Sequence, residues 1–99
     1  MRGPMTIATE FDPDVRERTR LQPYAEALVA IIRRADPTVT YSLSPGPDRG
    51  IWLLDVYVRP PLDNDMDLHG AVTERAVDFQ IHDGVSLAVI PHAHLAAAS

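Results

Sequence analysis

Residues 38–58 read TVTYSLSPGPDRGIWLLDVYV, and this stretch decides the fold. From Thr38 to Ser44 the pattern alternates: Val39, Tyr41 and Leu43 fall on one side, Thr38, Thr40, Ser42 and Ser44 on the other. A two-residue period is that of a strand buried on one face. Pro45-Gly46-Pro47-Asp48-Arg49-Gly50 is dense in turn formers, which predicts an antiparallel hairpin with Ile51 to Val58 as a second, more buried strand. Arg59-Pro60-Pro61 stops that strand, because consecutive prolines donate nothing to a ladder.

The flanks of the hairpin read as helices. Upstream, Asp12-Pro13 offers an N-cap acceptor followed by proline at the first helical position, and Asp14 and Glu17 suit the positive end of the helix dipole. Pro23 lies too far inside for one straight helix. Its ring clashes with the carbonyl four residues back, which predicts a kink or a fresh start near Gln22, with Tyr24 to Ala35 as the main helix. Leu28, Ile31, Ile32 and Ala35, with Tyr24 and Ala25 a turn earlier, form its apolar stripe, and Asp36-Pro37 ends it. Downstream, an acidic loop from Leu62 to Asp67 leads into a helix from about Leu68 to His82, capped by Asp67. Its apolar face is Leu68, Ala71, Val72, Ala76 and Phe79, and Gly84 supplies the left-handed residue that closes it. A last strand, Val85 to Ile90, joined through a helix to the second strand, is expected parallel to it.

The expected fold is therefore α+β: a small two-layer sandwich of order α-β-β-α-β with a three-stranded mixed sheet. The domain spans residues 12–91, between an N-terminal arm (1–11) and a frayed tail (92–99). Ninety-nine residues leave room for one core. No apolar run reaches the roughly 18 residues of a membrane span, and Met1-Arg2-Gly3-Pro4 lacks the apolar block of a secretory signal, so no membrane and a cytoplasmic location are expected. The absence of cysteine excludes disulfides, thiolate catalysis and cysteine-ligated zinc.

A net charge of −5 argues against non-specific binding to nucleic acid, which is driven by counterion release from phosphates. All nine basic residues are arginine. Arg16, Arg18, Arg20, Arg33 and Arg34 gather in the N-terminal third and read as a solvated helix surface. The lack of lysine beside many alanines resembles the codon bias of a GC-rich genome.

Few residues carry a metal or catalytic signal, and no cofactor is implied. Asp63, Asp65 and Asp67 alternate, and Glu74 stands at the twelfth position counted from Asp63, the spacing of a calcium loop with its closing glutamate. The match breaks at the sixth position, where the turn needs glycine and Leu68 stands. The alternative is a solvated acidic loop whose last aspartate caps a helix. His82, His92 and His94 could in principle gather zinc, but His82 and His92 are expected at opposite ends of the last strand, about 20 Å apart at the usual rise. His92 and His94 read as a titrating tail. Ser42, Ser44, Ser86 and Ser99 lack the glycine-flanked turn of a nucleophile.

Helix, strand ending at Ser44, glycine-containing turn to Gly50, strand bearing Asp55, helix and strand is an order that resembles the minimal nucleotidyltransferase core over about residues 24–91. In that family a Gly-Ser turn holds triphosphate and carboxylates on adjacent strands hold two metals. Here Leu43 replaces the glycine, Tyr57 stands where the second aspartate is needed, and Ser86 occupies the third carboxylate position. The resemblance thus implies a degenerate, catalytically dead domain, since two-metal chemistry needs several carboxylates. The alternative it leaves is a metal- or nucleotide-binding module using Ser44, Asp55 and the acidic loop.

The hairpin also predicts a binding surface. Asp55 and Tyr57 share a face opposite Leu54, Val56 and Val58, and Trp52 is assigned to the Asp55 side. A three-stranded sheet with two helices has one face to spare. If bare, that face presents Trp52, Asp55 and Tyr57, with Tyr41 beside them, and amphipathic aromatics with a charged neighbour build contact surfaces. The expected activity is non-catalytic: a small binding or accessory domain, pairing with itself or a protein partner through the sheet face or an edge.

Overall fold

The computed structural model describes residues 13–93 apart from Arg49. Helix α1 runs Pro13–Arg33, strand β1 Thr40–Pro45, β2 Trp52–Val58, helix α2 Met66–Asp83 and strand β3 Leu87–Ala93. A single 3-10 turn, Leu62–Asn64, precedes α2. The sheet order is β1-β2-β3, with β1 antiparallel and β3 parallel to the central β2. This is the expected α-β-β-α-β order and mixed sheet. The arm at residues 1–11, the Asp12 cap and the tail from His94 to Ser99 lie outside the described residues.

Helix α1 corrects one expectation. It continues uninterrupted through Pro23, with no fresh start near Gln22. Leu21, Ala25, Leu28, Val29 and Ile32 are all buried, so the stripe that holds α1 on the sheet spans both sides of the proline. Pro23 is exposed, and water can serve the carbonyl that lost its donor. A proline inside a helix costs about 3 kcal/mol, while each large apolar side chain buried returns about 1.5–3 kcal/mol. Val29 joins the buried stripe, Ile31 is half-buried, and Ala35 lies exposed beyond the helix end.

Past that end, Asp36 is buried and ties α1 to β2. Its carboxylate accepts from the Thr38 N–H at 3.0 Å, the Thr38 hydroxyl at 2.6 Å and the Arg59 N–H at 2.9 Å. The Arg59 Nε lies 3.3 Å away. Burial raises this carboxyl's pKa, but the four donors outweigh it and bring it down to about 2.

Helix α2 begins at Met66, two residues before its expected start at Leu68. Asp65, not Asp67, is the N-cap, its Oδ1 accepting from the Leu68 N–H at 3.0 Å. Asp67 sits in the first turn, where a carboxylate still suits the dipole. Val72, Ala76 and Phe79 face the core, Tyr24 meets Phe79 edge-on at 4.9 Å, and Gly84 closes the helix at φ 67°.

Strand β3 reaches three residues past its expected end. The Trp52 N–H donates to the Ser86 carbonyl at 3.0 Å. In a parallel pair this sets the parity: even-numbered residues of β3 turn their amides to β2, odd-numbered ones turn outward. Pro91 is odd-numbered, so its missing N–H falls on the outer edge and the ladder loses nothing there.

Candidate functional site

Both helices cover the same side of the sheet. Trp52, Leu54, Val56 and Val58 on that side are all buried, whereas Leu53, Asp55 and Tyr57 on the other are only half-buried. The register sets Ser44, Ser42 and Thr40 of β1 on one flank of those three residues, and Ala88, Ile90 and His92 of β3 on the other. Among the described residues no helix lies over this face.

One cluster organises it. The His92 Nε2 lies 2.8 Å from the Asp55 Oδ1, with the two side chains 40% and 21% exposed. The imidazole stacks on the Tyr57 ring at 4.9 Å between centroids and 18° between planes. The carboxylate orients the ring with the proton on Nε2, and in the neutral form Nδ1 is then an acceptor. The result is a flat aromatic platform edged by a hydrogen-bonded carboxylate. Sequence reasoning placed Asp55 and Tyr57 together but set His92 in a loose tail. The missing signal was the odd parity of Pro91, which lets the strand run on to His92.

Two expected members of the surface are elsewhere. Trp52 is 5% exposed on the helix side, with the Arg18 guanidinium 5.7 Å above its ring. A strand's two-residue period puts residue 52 with 54 and 56, so its assignment beside Asp55 is corrected. Tyr41 pairs with Val56 and therefore also faces the helices. Its hydroxyl donates to Glu26 and accepts from the Gln22 amide of α1. Burial and the Glu26 carboxylate push this phenol up to about 12.

The acidic residues disperse. Asp63 lies in the 3-10 turn, Asp65 is spent on capping, Asp67 is in the first turn of α2, and Glu74 is exposed farther along it. Among the described residues no group of three or more histidines and carboxylates could hold a metal ion. Ser44 stands opposite Leu53, and Ser86 precedes β3 with its carbonyl engaged by Trp52. His82 is exposed in the last turn of α2.

A second feature was not anticipated. Between α2 and the outer edge of β3 lies a cleft of about 230 Å³, lined by Thr73, Ala76, Val77, Gln80 and Leu87 to Val89. Val77 and Ile81, four residues apart on α2, are 43% and 70% exposed. Their spacing off the buried stripe was a legible signal.

Among the described residues no helix is long and apolar enough to cross a membrane. Compared with protein-family models, curated proteins and solved structures, the chain matches none.

Proposed function

We propose that this chain is a non-catalytic binding domain that acts by protein–protein contact through the open face of its sheet. The observation that supports this reading is the one-sided helix layer, which leaves Leu53, Asp55, Tyr57, Ile90 and His92 without a covering helix among the described residues. Stacking and a hydrogen bond already hold Tyr57, His92 and Asp55 in place. A partner therefore loses little to ordering them, and pre-organised aromatic and hydrogen-bonding groups are what contact energy concentrates on.

A photo-crosslinking side chain at Leu53, with a control at exposed Ala30 of α1, tests the reading in the cells that make the chain. Protein adducts are expected from position 53 and not from position 30, and Tyr57→Asp should abolish them. Equal labelling from both positions, or none from 53, would sink it.

A further inference from the structure

We infer that a second copy of the chain docks on the outer edge of β3, the two β3 strands pairing antiparallel about a two-fold axis at Ala88. The inference rests on the reading above only in taking the contact to be with protein.

The backbone supports it first. The outward-turned amides of β3 are those of odd-numbered residues, and β3 has no partner strand on that side among the described residues. With the axis at Ala88, Leu87 of each copy stands opposite Val89 of the other. The two pairs exchange both of their hydrogen bonds. The next pair outward would be Val85 against Pro91. The Val85 N–H already donates to the Phe79 carbonyl at 3.3 Å, and proline has none. The ladder thus ends without stranding a donor, so the edge is complementary to itself over a defined length. Ala88, at the axis, is a non-hydrogen-bonded pair, where side chains come closest and a small one fits.

Side chains support the same register. Leu87, Ala88 and Val89, which the backbone places at the axis, are the strand residues that line the cleft under α2. Leu87 and Val89 lie on the helix side of β3, so a partner strand brings its own Leu87 and Val89 against the cleft and the exposed Val77 and Ile81.

Charge selects this edge for a second copy. Two chains of net charge −5 repel unless they meet through uncharged surface. Gly84 to Pro91 contains no charged residue, and neither do Thr73, Val77, Gln80 and Ile81 of α2. Of the charged residues nearby on α2, Arg75 and Asp78 pair with each other at 3.9 Å. The β1 edge differs. There Tyr41 fills the space against α1 and meets Glu26, with Arg33 close enough to act on the phenol. The axis at Ala88 is normal to the sheet, so both Asp55–His92–Tyr57 clusters would emerge on one side of a six-stranded sheet.

The cysteine-free chain makes a clean test. Opposed residues in a non-hydrogen-bonded pair have Cα atoms about 4.5 Å apart, within the disulfide range. Under mild oxidation the Ala88→Cys full chain should cross-link to a covalent dimer, while Ser42→Cys on the β1 strand should give no covalent cross-link. By light scattering the unmodified chain should have twice its 10.9 kDa mass at high micromolar concentration, and Ala88→Lys should halve that mass with an unchanged circular dichroism spectrum. A monomeric unmodified chain overturns the proposal, as does cross-linking from Ser42→Cys as fast as from Ala88→Cys. A dimer broken by Tyr57→Asp but not by Ala88→Lys overturns the edge contact and leaves the open-face reading standing. If Ala88→Cys cross-links only after deletion of residues 2–11, the chain's own arm holds the edge and the inference fails.

Discussion

Strand β2 offers two surfaces built on one backbone. Trp52, Leu54, Val56 and Val58 point into the helix layer, and Leu53, Asp55 and Tyr57, each one residue along, point away from it. The first set meets Leu21, Ala25, Leu28, Val29 and Ile32 of α1 and Val72, Ala76 and Phe79 of α2 in a single core. Among the described residues, the second set is flanked by its strand partners on β1 and β3 and covered by no helix. Burial of apolar surface, at about 25 cal/mol per Å², therefore accumulates mainly on the helix side. The other side is free to carry polar groups that a core would not tolerate unpaired. Stability and recognition are separated by the two-residue period of one strand.

Substitutions on the two faces should differ accordingly. Leu54→Ala removes a fully buried side chain and is expected to cost about 2–5 kcal/mol in urea unfolding. The neighbouring Leu53→Ala should cost about 1 kcal/mol or less. Comparable losses at the two positions would break the distinction between the faces.

The corner that holds the core side closed comes next. Asp36→Ala leaves the Arg59 and Thr38 donors without their acceptor and should cost about 2–3 kcal/mol. Because the folded carboxyl titrates near 2 against an ordinary 3.8, its contribution is complete above about pH 4 and is lost as pH falls toward 2. That contribution is of order 2 kcal/mol. Acid titration followed by circular dichroism should therefore show a flatter response in Asp36→Asn than in the unmodified chain. An unchanged acid limb would assign the transition to other groups.

Smaller effects are expected on the open face. Tyr57→Ala, which unstacks His92, should cost about 1 kcal/mol, because a half-buried ring loses limited contact. Asp55→Asn should cost only a few tenths of a kcal/mol, because the contact is partly exposed and the amide oxygen can still accept from Nε2. It should nonetheless shift the His92 ring signals in NMR, since Asp55 is the partner of its Nε2. Invariant ring signals would dissolve the cluster.

Much of this was legible one element at a time. The alternation from Thr38 to Ser44 and the turn formers after it specify the hairpin, and Gly84 specifies the end of α2 by its left-handed backbone. The two-residue period also suffices to place Trp52 with Leu54, and grouping it with Tyr57 by chemical type broke that period. Other features depended on neighbours far along the chain. Pro23 reads as a kink or a fresh start because a local clash is all that propensity can weigh, yet the buried residues on either side of it keep α1 in one piece. Asp65 and Asp67 are equivalent caps by residue type, and only the path of the chain through the 3-10 turn selects Asp65. Asp36 reads simply as the end of a helix, because its partner Arg59 is 23 residues away.

By itself, the sequence determined the order of the elements, the two periods that give each helix and strand a core side, and the residues that start and stop them. These depend on backbone sterics and on interactions a few residues apart. Tertiary structure decided which way the outer edge of β3 faces, and with it whether Pro91 ends the strand or is harmless. That orientation follows from one hydrogen bond, Trp52 to Ser86, between segments 34 residues apart. It carries β3 on to His92, sets the imidazole against Asp55 and Tyr57, and leaves the Leu87 and Val89 amides turned outward.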